Sequence, residues 1–188
     1  QDPYSGRIYY WPRSEGELEA SPAVAPVLET LVRMEGTAAR PVSHVGFEGI
    51  RFRHTTWLRP SRAGHVPLQA GFFMTEAYKL TVPGTQDKAS LENQAWVGRK
   101  PAAVELRHVR EALFRGCRFE HLAASGVDCV TGTRGVRLTG NVFRDIGGSG
   151  FVAGSFQEGG VETHIPYLPE DERLICEDIH FGNNLVTD

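Results

Sequence analysis

GCRFEHLAASGVDCVTGTRGVRLTGNVFRDIGGSGFVAG, residues 116–154, carries the same pattern twice. Gly116, Phe119, Leu122, Ser125-Gly126 and Val127 return as Gly140, Phe143, Ile146, Ser149-Gly150 and Phe151, each pair 24 residues apart. A period in the low twenties, made of short apolar strands and glycine-containing turns, points to a solenoid. The strands are rich in β-branched and aromatic residues, so the expected unit is a β-coil that stacks its apolar positions on the coil below. The fold expected is all-β, a right-handed parallel β-helix.

The same register extends outward. With Gly49 set on Gly116, Phe47 falls on Phe114, Phe52 on Phe119 and His54 on His121. At the other end Ile179, Phe181, Asn184, Val186 and Asp188 follow Val136, Leu138, Asn141, Phe143 and Asp145 at an offset of 43. The spacings in excess of one coil read as insertions near residues 65–100 and 155–173, the first with room for an extra coil. Insertions in repeat proteins collect on particular faces and often build the binding site. Residues 41–188 therefore carry the coils and residues 1–40 an N-terminal strand and connecting segment. Within the latter, Gly6–Pro12 reads as a strand, and residues 27–34 as a strand or a short helix. The chain opens abruptly at Gln1 and stops inside a coil at Asp188. It reads as a segment of a longer protein, with further coils of the same polypeptide before residue 1 and after residue 188.

Composition narrows the function classes. The chain has 188 residues, 40% hydrophobic and 23% charged, enough for one sizeable core. A net charge of −3 gives no electrostatic case for a nucleic-acid partner, and no apolar run is long enough to span a membrane. Cys117, Cys129 and Cys176 form neither a disulfide framework nor a metal motif. Cys117 and Cys129 fall on apolar positions of the repeat and read as core. Gly-rich phosphate loops, His-Glu-x-x-His, Cys-x-x-Cys and Gly-x-Ser-x-Gly are all missing, so no cofactor and no metal are expected.

What remains for chemistry is carboxylates, histidines and aromatics placed by the coils. Neighbouring strands lie about 4.8 Å apart. Glycosidases need two carboxyl groups about 5–5.5 Å apart to retain configuration, or about 6.5–9.5 Å apart to invert it. Asp145 and Asp188 share a column on consecutive coils and are the candidate catalytic pair; turn capping is their structural alternative. Glu105 and Asp128 nearly stack in the same way. His54 and His121 precede Asp145 in its column, as a polar wall for a sugar or as strand-end caps. Trp57 offers a stacking face, or a core ring. Glu162 and His164 stand in the second insertion. Asn141 and Asn184 share a column and read as a hydrogen-bonded ladder.

Taken together, Gly-Arg-Ile-Tyr-Tyr-Trp-Pro at 6–12, Phe47-Glu-Gly-Ile-Arg-Phe-Arg-His-Thr-Thr-Trp57, Ser125-Gly-Val-Asp128 and Asn183-Asn-Leu-Val-Thr-Asp188 resemble secreted bacterial proteins with right-handed parallel β-helix repeats. The resemblance is strongest to those similar to glycoside hydrolase family 141. It implies a secreted or periplasmic enzyme acting on plant or microbial polysaccharide, with fucosidase and xylanase activities represented, and a polysaccharide or oligosaccharide as partner. On this reading Asp145 and Asp188 hydrolyse the bond, and His54, Trp57, His121, Asp128, Glu162 and His164 bind the sugar. Two rivals remain. A polysaccharide lyase would release unsaturated, ultraviolet-absorbing products, but lysine is scarce and no acid cluster resembles a calcium cage. A non-catalytic carbohydrate-binding or adhesin solenoid would offer a flat surface without paired acids.

Overall fold

A computed structural model describes Ser5, Arg7 and residues 9–12, 14–17, 23–57, 65–67, 72–75, 96–154 and 170–188, with backbone alone for 65–67, 72–75 and 96–98. Among the described residues the regular secondary structure is almost entirely β-strand. A first pass of the chain forms β1 (Val32–Glu35), β2 (Val42–Ser43), β3 (Gly46–Glu48) and β4 (Arg51–Arg53). The first insertion contributes β5 (His65–Pro67), β6 (Phe72–Thr75) and β7 (Trp96–Arg99). A second pass forms β8 (Ala102–Arg107), β9 (Val109–Arg110), β10 (Leu113–Arg115) and β11 (Arg118–Leu122). A third forms β12 (Ser125–Thr131), β13 (Arg137–Thr139) and β14 (Val142–Ile146), and a fourth β15 (Phe151–Ala153), β16 (His180–Gly182) and β17 (Leu185–Thr187).

Every pass lays one strand on each of the same parallel sheets. The sheet orders are β1-β8-β12-β15, β3-β10-β13-β16 and β4-β11-β14-β17, with β2-β9 as a fourth, two-stranded sheet. The sequence columns are the observed register. Phe114 pairs Phe47 on one side and Leu138 on the other, while Phe119 pairs Phe52 and Phe143. Leu138 pairs Phe181 and Phe143 pairs Val186.

The reason for this register is burial. Side chains alternate along each strand, and the inward set is apolar in every layer. Phe119 is fully buried, stacked on Phe52 at a ring-centroid distance of 4.8 Å and on Phe143 at 4.6 Å. Val104 packs in line with Val127, and Leu106 with Cys129, all fully buried. Cys117 joins them in the core, and all three cysteines are free thiols. A slip of one residue would turn every one of these side chains to the outer face.

Between the sheets the chain turns through single left-handed residues. One column of corners is Gly49, Gly116, Gly140 and Asn183, all with φ between 54° and 67°. Glycine takes that conformation without steric cost. A second column is His54, His121 and Asp145, with φ of 62°, 56° and 54°. His, Asp and Asn are the non-glycine residues most tolerant of it, which explains their appearance where the chain bends. Asn141, 1% exposed, follows the glycine corner. Its Oδ1 accepts from Cys117 N at 2.8 Å and its Nδ2 donates to Phe114 O at 3.0 Å. The next layer repeats the motif, with Asn184 Oδ1 accepting from Asn141 N at 2.9 Å and Nδ2 donating to Leu138 O at 2.9 Å. The expected ladder is therefore present, and it also satisfies main-chain groups at the corner.

Of the strand and the short helix expected over residues 27–34, the strand is observed, and β1 pairs β8 from Val32 to Glu35. Two expectations are corrected. Residues 9–12 form no strand, and Trp11 is 90% exposed. The insertion after β4 adds no extra coil among its described residues. Instead β6 pairs antiparallel with both β5 and β7; the four-residue connection from β5 to β6 is too short for a parallel crossover.

Replacing Asn141 with Ala leaves the Cys117 amide buried without its partner and removes one of the donors to the Phe114 carbonyl. We expect a loss of about 1–3 kcal/mol of stability, the usual cost of one unsatisfied buried group. Asn184→Ala, at the less buried next layer, should cost less. Urea denaturation of the two variants checks the order.

Candidate functional site

The first sheet, β1-β8-β12-β15, carries charge across its outer face. Arg33, Glu105, Asp128 and Val152 are successive Cα partners in one row. Outward residues on such a sheet are ordinarily solvated, yet Asp128 is only 2% exposed and the Glu105 side chain 13%. The chain entering β8 covers them. Arg99, the last residue of β7, donates from Nε to Asp128 Oδ2 at 2.5 Å and from a terminal nitrogen to Oδ1. Glu105 accepts from Arg33 Nε on Oε2 at 3.2 Å and from Thr30 Oγ1 on Oε1 at 3.2 Å.

These groups wall a cavity of about 210 Å³. Trp57 forms one side, with Glu29, Lys100, Pro101, Arg107 and Val130 completing the rim around Arg99, Glu105 and Asp128. A shallower groove of about 480 Å³ adjoins it and shares Glu29, Pro101 and Glu105. The arrangement combines an indole, two carboxylates on adjacent strands and several fixed cations. Indoles stack on the apolar face of a sugar ring, while carboxylates and guanidinium groups hydrogen-bond its hydroxyls.

The electrostatics of Asp128 follow from its position. Burial pushes its carboxyl above the usual range, the Arg99 guanidinium pulls it down, and neighbouring Glu105 pushes it up again. Burial has the larger hold. A carboxylate this enclosed depends on its partner, since an unpaired buried charge is costly.

The other residues expected in a site are spread over the molecule. His54, His121 and Asp145 form one column at the bend after the third sheet. The His54 and His121 rings stack at 5.3 Å, and His121 Nδ1 lies 2.6 Å from Asp145 Oδ2. The Asp145 side chain is 66% exposed. Asp188 follows β17 and is exposed as well. The expected alignment of this pair is kept, since Arg144 pairs Thr187 just before it, but neither acid lines the cleft that holds Glu105 and Asp128. Glu162 and His164 lie outside the described residues. Among those described, no three His, Cys, Asp or Glu side chains cluster as metal ligands, and no helix is long and apolar enough to cross a membrane.

A further cavity, of about 230 Å³, lies beside the 3₁₀ turn Glu172–Leu174. Its wall contains Arg134, paired with Glu177 at 3.2 Å, and Arg173, paired with Asp171 at 2.7 Å. It gathers no carboxylates on paired strands and none of the expected sugar-binding residues.

Trp57 and Asp128, two of the residues singled out in the sequence, line one cleft. Arg99, Lys100 and Arg107 were not. Arg99 reaches the cleft from the end of the first insertion, and only folding brings it over a strand 29 residues away. The one sequence signal was indirect, namely that insertions tend to gather over a functional face.

Removing the Arg99 side chain with Arg99→Leu should cost about 3–5 kcal/mol, the loss typical of a buried ion pair with one partner deleted. The double variant Arg99→Leu/Asp128→Asn should recover part of it, because no buried charge is then left alone. A double-mutant cycle by chemical denaturation measures that coupling.

No protein-family model and no curated protein matches the chain. A solved structure named glycoside hydrolase does, at 41% sequence identity and a TM-score of 0.72, over 87% of this chain. This chain spans 28% of that structure's length. The protein is therefore similar, across most of its residues, to one part of a larger glycoside hydrolase.

Proposed function

We propose that the chain is a segment of a right-handed parallel β-helix from a secreted or periplasmic carbohydrate-active enzyme that hydrolyses glycosidic bonds in polysaccharide, within the group similar to glycoside hydrolase family 141. The β-helix reading is supported by the repeated passage of the chain over the same parallel sheets in one order. The hydrolase reading is supported by the similarity to a structure of that name. The observation that carries the placement of the chemistry is the pairing of Glu105 with Asp128 on adjacent strands inside a cleft that also presents Trp57.

A backbone spacing of about 4.8 Å puts two such carboxyl groups near the separation used by retaining glycosidases, about 5–5.5 Å. Asp128, pushed up by burial against the pull of Arg99, is held by that guanidinium as a carboxylate suited to accept hydrogen bonds from sugar hydroxyls. Glu105, bridged by Arg33 and Thr30, is suited to stabilise positive charge at the sugar or to attack it. Water exclusion by the cover over Asp128 strengthens both effects. Asp145 and Asp188 satisfy the same column spacing but lack an enclosing wall, and Asp145 is engaged by His121 in solvent. We assign that pair to the corner of the fold and the chemistry to the cleft pair. Non-catalytic sugar binding explains the indole but gives no reason to hold two carboxylates against each other beneath a cover.

The test is a glycan screen with products identified by mass, followed by variants on whichever substrate is cleaved. Glu105→Gln should lower turnover by about 10²–10⁴-fold, the usual weight of an acid–base or nucleophilic carboxylate. Asp145→Asn and Asp188→Asn should each stay within about tenfold of wild type. Loss of activity in the latter two with retention in Glu105→Gln would move the chemistry to the corner column. Unsaturated products absorbing in the ultraviolet would replace hydrolysis by elimination.

A further inference from the structure

Lys100 is the one described lysine of a chain that has only three. It stands between β7 and β8, is 9% exposed and contributes to the cleft wall. Its alkyl stem lies over Gly148, where an added Cβ would come within 3.2 Å of Lys100 Cδ. Among the described residues no hydrogen bond or ion pair is made by its ammonium group. Two of the three carboxylates of the wall are committed elsewhere, Asp128 to Arg99 and Glu105 to Arg33, and Glu29 is the third. Arg107, a second cation of the same wall, makes no ion pair among the described residues, although its charge acts on Asp128. Burial pulls the Lys100 ammonium below its usual range, as expected of a cation enclosed without a counter-charge.

Lys100 lines the cleft with no bonded counter-charge among the described residues, and Arg107 stands in the same wall with only a through-space interaction with Asp128; a ligand of opposite charge lowers the cost of enclosing them. A neutral sugar would leave that cost in place, since hydroxyl groups only partly replace the hydration of an ammonium ion. An anionic group on the sugar ring removes it and gains charge-assisted hydrogen bonds. The fork of Arg107 suits a planar carboxylate, and the ammonium of Lys100 a point charge beside it. Trp57 meanwhile offers the stacking face for the ring.

We propose that the cleft is built for a glycan bearing an anionic group, a uronate or a sulfate ester, which Lys100 and Arg107 hold while the ring lies against Trp57. This specificity rests on the reading of the cleft as a sugar site. It adds the charge of the substrate to that reading.

Calorimetric titration with trigalacturonate, a sulfated galactose trimer and neutral galactotriose tests it on the intact protein. At least one acidic trisaccharide should bind about tenfold or more tightly than the neutral one, the scale of one or two hydrogen bonds to a charged group. Raising the salt concentration should erode that margin. Lys100→Met should reduce the acidic-to-neutral affinity ratio about tenfold, with no loss of thermal stability, because it removes an uncompensated buried charge. Arg107→Gln should reduce the ratio in the same direction and serves if Lys100→Met does not fold. Equal affinity for acidic and neutral trisaccharides overturns the proposal, as does an unchanged ratio in both variants. Binding of no trisaccharide of either kind overturns the sugar-cleft reading together with it.

Discussion

The spacing between hydrogen-bonded parallel strands, about 4.8 Å, governs this molecule. Each pass of the chain lies directly on the previous one, so every side chain has a like-placed neighbour above or below it. Where the column is aromatic the result is cohesive. Phe52, Phe119 and Phe143 stack almost in parallel, with interplanar angles of 13° and 4°. Flat rings fit a repeat of that height with little loss of contact. The buried asparagines use the same repeat differently, each linking the main chain of one layer to that of the next.

The constraint acts equally on charge. A column that holds acids on neighbouring strands forces them together, and the protein compensates with guanidinium groups placed outside the column. Glu120 on the third sheet is flanked by Arg53 and Arg118, at 3.7 and 3.2 Å. This row is a charge ladder in which the flanking arginines accompany an acid that is 7% exposed. Glu105 and Asp128 have the same origin, but there the chain returning from the first insertion roofs the row. Arg99 neutralises Asp128 from above, and a space remains between roof and sheet. The difference between a charge ladder and a candidate active site is thus a cover and a cavity, added to an otherwise common arrangement.

Corners follow a separate logic. A bend made by a single left-handed residue selects Gly, Asn, Asp or His. His121 with Asp145 on the second bend, and His44 with Glu111 at 2.6 Å on another, bring a histidine against an acid where consecutive layers turn. The conformation accounts for these residue types without recourse to catalysis, and it explains why the column containing His54, His121 and Asp145 attracts notice in the sequence. Polar residues recurring at a fixed period carry two superposed signals, one for bending the chain and one for chemistry, and periodicity does not separate them.

The sequence alone determined the strand register from Phe47 to Val186, the aromatic columns, the asparagine ladder and the alignment of Glu105 with Asp128. All of these depend on which residues recur at fixed offsets, and burial enforces that pattern layer by layer. It also marked Trp57 and Asp128 for the site. Only the tertiary structure decided which acids are enclosed. Enclosure depends on where an insertion folds back, and the insertion obeys no repeat. Arg99, Lys100 and Arg107 lie at the ends of strands whose neighbours in space are distant in sequence, so their shared cleft has no local signature. The charge of Lys100 stood out only once Asp128 had been matched to Arg99 and Glu105 to Arg33.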